Sequence, residues 1–193
     1  MRVQEVADGL WRWTGLHPEW KPSDAGPEGW DQEVGCVYYE GPDAVVLVDP
    51  LAPPEDEERF WAALDRDVER AGKPVRVLIT VSWHGRSAEA VAKRYGAATD
   101  GPLPAGVEAH AAPAGDETVY WLPEHGALVF GDVVLDAEGG VRLCPESWLD
   151  GTLAQLKEEL LPLLDLPVER LLVSHGEPVL EGGHAALARA LDV

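Results

Sequence analysis

Hydrophobic and polar positions change period several times along this chain, and each change marks an element. Residues 9–14 (Gly-Leu-Trp-Arg-Trp-Thr) alternate with period two, as a half-buried strand does. Residues 35–40 and 44–48 are apolar-rich runs flanking Gly41-Pro42-Asp43, which predicts a hairpin. Pro53-Pro54-Glu55 opens a predicted helix running to about Ala71, with Phe60, Leu64 and Val68 on one face and Gly72 ending it. The β-branched content of residues 75–80 predicts a buried strand, and Ser87 is placed to cap a helix through Tyr95, with Glu89 in its first turn. A second hairpin is predicted from residues 118–122 and 127–130 across Pro123-Glu124-His125-Gly126. Leu149, Leu153, Leu156, Leu160 and Leu163 then recur at helical spacing, residues 171–174 form the last strand, and a short helix follows Gly183. Strand pairs lead each half and helices follow, which suits two packed sheets flanked by helices.

Residues 15–33 break the periodicity. Pro18, Pro22, Pro27 and three glycines predict a long loop, on which Trp20 and Trp30 are placed to cover something apolar. A chain of 193 residues with 46% hydrophobic content fits a single domain over residues 1–193. No apolar run approaches the roughly 18–20 residues of a membrane span, and the first six residues lack a signal-peptide layout, so cytoplasmic residence is the default expectation. A net charge of −20 repels nucleic acid and anionic membranes, so neither is expected as a partner. Salt adaptation or a GC-rich genome would also account for the acidity, which therefore names no function. Cys36 and Cys144 lack the spacing of a thiolate zinc site and read as buried thiols.

Three predicted strands end in polar residues: Val81-Ser82-Trp83-His84-Gly85-Arg86-Ser87, Phe130-Gly131-Asp132 and Val173-Ser174-His175-Gly176. A rigid strand positions a side chain that the following loop leaves accessible, so His84, Asp132 and His175 are candidate catalytic groups or metal ligands. Ser82, His175 and Asp132 could form a hydrolase triad, but no Gly-x-Ser-x-Gly elbow supports it.

The order of these pieces resembles the metallo-β-lactamase superfamily over nearly the whole chain. Residues 6–12 resemble its opening strand, and Val46-Leu47-Val48-Asp49-Pro50 the strand ending in a structural, second-shell aspartate. Leu78-Ile79-Thr80 resembles the strand that leads into the metal motif. Leu128-Val129-Phe130-Gly131-Asp132 resembles the strand bearing the bridging aspartate, and residues 172–176 the segment bringing the last histidine. The resemblance implies an α/β (α+β) domain, a four-layer αββα sandwich. It also implies hydrolysis by metal-activated water, yet the site departs from the family. Where the motif His-x-His-x-Asp-His should stand, the chain has Val81, Ser82, Trp83, His84, Gly85 and Arg86; His84 falls on a variable position. Residues 113–118 replace the Pro-Gly-His-Thr-like turn, so Asp132 and His175 alone remain of the usual ligands.

A zinc site takes three protein ligands plus water, so the two surviving ligands are too few unless His84, Asp116 or His110 swings in, and the usual dinuclear centre is not expected. The leading expectation is a protein without the family's metal cofactor, and without its hydrolase activity, in which Arg86 pairs with Asp132 within a His84–Arg86–Asp132–His175 cluster. Arg86, the amides that begin the Ser87 helix, and Trp83 with Trp20 and Trp30 would bind a small, anionic ligand in the vestigial cleft. The alternative is a hydrolase of esters, lactones or thioesters using one zinc, manganese or iron ion on His84, Asp132 and His175. A third reading is a structural module or homodimer with a well-packed cleft. His17, His125 and His184 read as exposed or capping residues; His110, after a short strand, is either filler or pocket wall.

Overall fold

The computed structural model describes residues 1–26, 28–138 and 140–193. Its strands are β1 (Arg2–Ala7), β2 (Leu10–Leu16), β3 (Glu33–Glu40), β4 (Val45–Val48), β5 (Val75–Leu78), β6 (Glu108–Ala112), β7 (Glu117–Leu122), β8 (Ala127–Phe130), β9 (Val134–Ala137), β10 (Gly140–Leu143) and β11 (Arg170–Val173). The α-helices are α1 (Glu57–Ala71), α2 (Ala88–Tyr95), α3 (Leu153–Leu160) and α4 (Gly183–Ala190). A five-stranded sheet runs in order β1-β2-β3-β4-β5, antiparallel except for β4 and β5, and a four-stranded sheet runs β11-β8-β7-β6 with β11 parallel to β8. The ribbon β9–β10 is separate.

Alternation along the strands builds four layers. In β4, Val46 and Val48 face Tyr120, Leu122, Val129 and Leu172 of the other sheet, while Val45 and Leu47 face Phe60 and Leu64 of α1 and Val91 of α2. In β8, Val129 points between the sheets and Leu128 and Phe130 point outward onto Leu156 of α3 and Leu187 of α4. Each such side chain contributes about 1.5–3 kcal/mol by leaving water, so a one-residue slip of either strand would exchange the two cores and is strongly disfavoured. The order helix, sheet, sheet, helix is the predicted αββα sandwich.

Both predicted hairpins form, β3–β4 and β7–β8. Several local expectations are corrected. The segment after Pro53 begins with a 3-10 turn over Pro54–Asp56, so α1 starts at Glu57; it ends as expected at Gly72, in the left-handed conformation (φ 62°) with its N–H donated to Val68 O. Ser87 stands at the N-cap of α2, but its hydroxyl accepts from Ala52 N (2.9 Å) and caps nothing. Residues 6–12 are not one opening strand: they span the end of β1, the turn at Asp8 and Gly9, and the start of β2. His110 lies within β6, paired with Val119, and does not follow it. The predicted loop stands between β2 and β3; Pro27 lies outside the described residues. Cys36 and Cys144 are both buried and unpaired. Among the described residues, no helix is long and apolar enough to cross a membrane.

Candidate functional site

The two sheets are joined at one end, where the first residues of β3, beyond its pairing with β4, are stitched to the segment that follows β11. Gly35 N donates to Ser174 O (2.7 Å), and Val34 bridges His175. Arg12, only 2% exposed and aligned with Leu10 on the inner face of β2, donates from Nη2 to Gly176 O (2.6 Å). A Cβ at Gly35 would sit 2.5 Å from that guanidinium, so a larger residue there would have to displace Arg12. The ends of β4, β5, β8 and β11 thereby open onto one cleft.

Asp49 follows β4 in a left-handed conformation (φ 50°) and is buried. One of its oxygens accepts Thr80 N (2.8 Å); the other accepts Thr80 Oγ1 (2.5 Å) and His84 Nδ1 (2.9 Å). Residues 82–85 form a 3-10 turn that swings the His84 ring inward, so that Nε2 lies 3.2 Å from Asp132 Oδ1. His84 therefore bridges two carboxylates. Burial opposes its charge, but hydrogen bonds to Asp132 and Asp49 outweigh that and raise its pKa to about 9. As an imidazolium it donates from both ring nitrogens.

Asp132 Oδ1 also accepts from His175 Nε2 (2.9 Å), and Oδ2 accepts from Trp83 Nε1 (2.7 Å). Burial pushes the Asp132 pKa up, yet the bonds from His175 and His84 prevail and hold it below the carboxylate range. His175 is shifted down, chiefly by burial, with Asp132 opposing; its Nδ1 is buried without a hydrogen-bond partner.

The expected pairing of Arg86 with Asp132 does not occur. The guanidinium turns inward but reaches Gly35 O (3.1 Å), Asp49 O (3.3 Å) and Ser174 Oγ (2.8 Å), tying β3, β4 and β11 together. Its position costs backbone strain, since Arg86 holds φ 35° and ψ −109°, a region L-residues seldom enter. Three of the four expected members of the cluster converge, and the fourth braces the strands around them.

Glu117 is a site residue that the sequence reading missed. It belongs to the segment that replaces the family's middle-histidine turn, and it is buried on the face of β7 shared with Val119 and Trp121. Its carboxylate accepts the amides of Gly131 (2.8 Å), Asp132 (2.6 Å) and Val133 (2.9 Å), fixing the loop that carries Asp132. Burial, then the Asp132 charge, raise its pKa to about 7 against those amides. A charged residue at a core-parity position of a strand was the available signal; Arg12 in β2 is another.

The cleft encloses about 470 Å³. His84, Asp132, His175 and Arg86 form its floor, with Trp30, Trp83 and Trp148 among its walls. Trp20 does not reach it; its indole N–H instead donates to Trp30 O (2.9 Å). Ser87 lines an adjoining cavity of about 430 Å³. His17, expected at the surface, stacks edge-on against Trp30 with ring centroids 5.3 Å apart and lines the cleft. Asp116 is exposed, His110 and Ser82 are not among the lining residues, and His184 is exposed.

Three side chains converge closely enough to hold a metal ion. His84, Asp132 and His175 each bring a ligand atom within 4.8 Å of the others, the one such group among the described residues. Three such donors could hold an ion, whereas Val81, Trp83, Gly85 and Arg86 offer no ligand of the usual kind.

The sequence matches no known family model, and no curated protein matches it. Solved structures do match. The FIM-1 metallo-β-lactamase from Pseudomonas aeruginosa, in a mono-zinc form, is 16% identical, with a TM-score of 0.66 over 99% of this chain and 94% of that one. A metallo-β-lactamase from Erythrobacter litoralis is 19% identical, with a TM-score of 0.63 over 98% and 90%. The metallo-β-lactamase IND-7 is 15% identical, with a TM-score of 0.62 over 100% and 98%. From the layers and strand order to these neighbours, the chain has the metallo-β-lactamase fold.

Proposed function

We propose that this protein is a metal-free variant of the fold, in which a hydrogen-bonded charge cluster stands in for the zinc centre and the cleft above it binds a small molecule. The observation that carries the reading is His84 lying between Asp49 and Asp132, with a ring nitrogen 2.9 Å from one carboxylate and 3.2 Å from the other. An imidazolium so placed supplies the positive charge that two buried carboxylates require and leaves no lone pair for a metal. Arg86 adds a second fixed cation nearby, and His175 and Trp83 complete the shell of Asp132. A 470 Å³ cleft with mixed aromatic and polar walls also suits a ligand better than it suits a packed structural module.

Elemental analysis after incubation with zinc, manganese and iron tests the reading, with His175→Ala as the control. Metal content no higher than in the control is expected. Near-stoichiometric metal that disappears in the control would overturn the proposal. The convergence of three ligand atoms within 4.8 Å favours a second reading, a hydrolase of esters, lactones or thioesters. There His84, Asp132 and His175 would hold one ion, which would supply Lewis acidity.

A further inference from the structure

The cleft carries three indoles, and two of them have spent their polar edge on the protein. Trp83 donates its N–H to Asp132 Oδ2 (2.7 Å) and Trp148 donates its N–H to Glu28 O (2.8 Å). Trp30 is fixed differently, by the bond from Trp20 to its carbonyl. With the edges of Trp83 and Trp148 committed, these rings offer a guest chiefly their faces, where the aromatic quadrupole is negative. Trp30 and Trp148 both stand edge-to-face with His175, at centroid distances of 5.3 and 6.2 Å, so they flank one lobe of the cleft.

Charge leads the same way. The two cations of the floor, His84 and Arg86, are offset by Asp49 and Asp132; Nη1 and Nη2 of Arg86 already bond Gly35 O, Asp49 O and Ser174 Oγ, and its Nε is buried out of a guest's reach, which leaves little for an anion. Exposed carboxylates line the two cavities that share Trp83, Glu19 in both and Glu57 in the adjoining one. The whole molecule carries −20, so its field draws cations toward the mouth and repels anions.

We propose that the aromatic lobe binds an organic cation, a quaternary or alkylated ammonium group, seated on the faces of Trp30, Trp83 and Trp148 beside Glu19. This rests on the metal-free floor, because a divalent ion there would repel such a guest.

The test titrates the intact protein, its metal content measured on the same sample, with choline, with the uncharged isostere 3,3-dimethylbutan-1-ol and with benzoate. Calorimetry and tryptophan fluorescence supply the readouts. Choline is expected to saturate and to bind at least tenfold more tightly than the isostere. Trp83→Ala and Glu19→Gln are each expected to weaken choline, the former at least fivefold, with circular dichroism unchanged. Equal affinity for the isostere, tighter binding of benzoate, or unaltered choline affinity in Trp83→Ala would each overturn the proposal. Metal-free protein that choline does not saturate would remove the cation and leave the floor reading standing. Stoichiometric metal on the floor would remove both.

Discussion

At the floor of the cleft Asp49, His84, Asp132 and His175 are all buried, and each oxygen of Asp132 is met by a donor; on the wall, Trp83 stands 56% exposed. Both regions grow from the same short segment, since Trp83 and His84 are neighbours in one 3-10 turn, the first exposed and the second buried, and both reach Asp132. The floor is fixed by charge in a low-dielectric setting, where removing one partner strands the others. The wall is aromatic surface that water reaches, where a lost contact is partly replaced. Stability should therefore reside in the first and selectivity in the second.

The largest effect expected follows from Asp132→Ala. It leaves the His84 Nε2–H, the His175 N–H and the Trp83 N–H without their acceptor, and should cost about 3–5 kcal/mol in urea unfolding. A loss under about 1 kcal/mol would mean that the floor is not a charge cluster.

Next comes pH. The folded pKa of His84, about 9, lies above its ordinary 6.5, so its contribution is complete below pH 6.5 and is lost as pH rises through 9. Glu117 is likewise raised, to about 7 from 4.5, so its contribution is complete below pH 4.5 and disappears as pH rises through 7. Each window is worth roughly 3 kcal/mol. Denaturation midpoints should decline in two steps, with Glu117→Gln flattening the lower and His84→Gln the upper. Nitrogen NMR gives a separate check, as His84 should keep two ring N–H groups at pH 7. A neutral ring there would contradict the bridge between two carboxylates.

Arg86→Lys should cost about 2 kcal/mol, because an ammonium cannot reproduce a fork spread over Gly35 O, Asp49 O and Ser174 Oγ. Arg94→Lys is the matched control. Its bidentate partner Asp65 is exposed, so the change should leave the denaturation midpoint close to that of the unaltered protein. Equal costs at the two positions would erase the contrast between a buried brace and a surface pair.

The contrast also explains what could be read from the chain. The layers were legible because Val45–Val48 and Ala127–Phe130 are apolar on both faces and sit next to turns, which places them at the centre of a two-sheet sandwich. Asp132 and His175 were legible because they end such strands. The partner of Arg86 was not, because a guanidinium on a strained turn can swing to several acceptors, and the end of β11 at Ser174 comes 88 residues later. Glu117 escaped notice because its acceptor role depends on three amides of a loop 14–16 residues away, which no local pattern encodes. The ribbon β9–β10 was missed because Val134–Ala137 and Gly140–Leu143 are too short to show a period.

The smallest expected effect is the sharpest test of the boundary between floor and wall. Trp83→Phe keeps an aromatic face but deletes the indole N–H that meets Asp132 Oδ2. Were Trp83 part of the floor, its loss would cost as much as other buried charge-assisted bonds, about 1.5–3 kcal/mol. Because the residue is 56% exposed, water can reach the carboxylate oxygen in its place, and Oδ1 keeps both histidines. The cost in urea unfolding should then stay below about 1 kcal/mol, while choline affinity, which depends on the ring face, should fall by less than in Trp83→Ala. A larger stability loss would move Trp83 into the floor and make the aromatic wall part of the charge cluster.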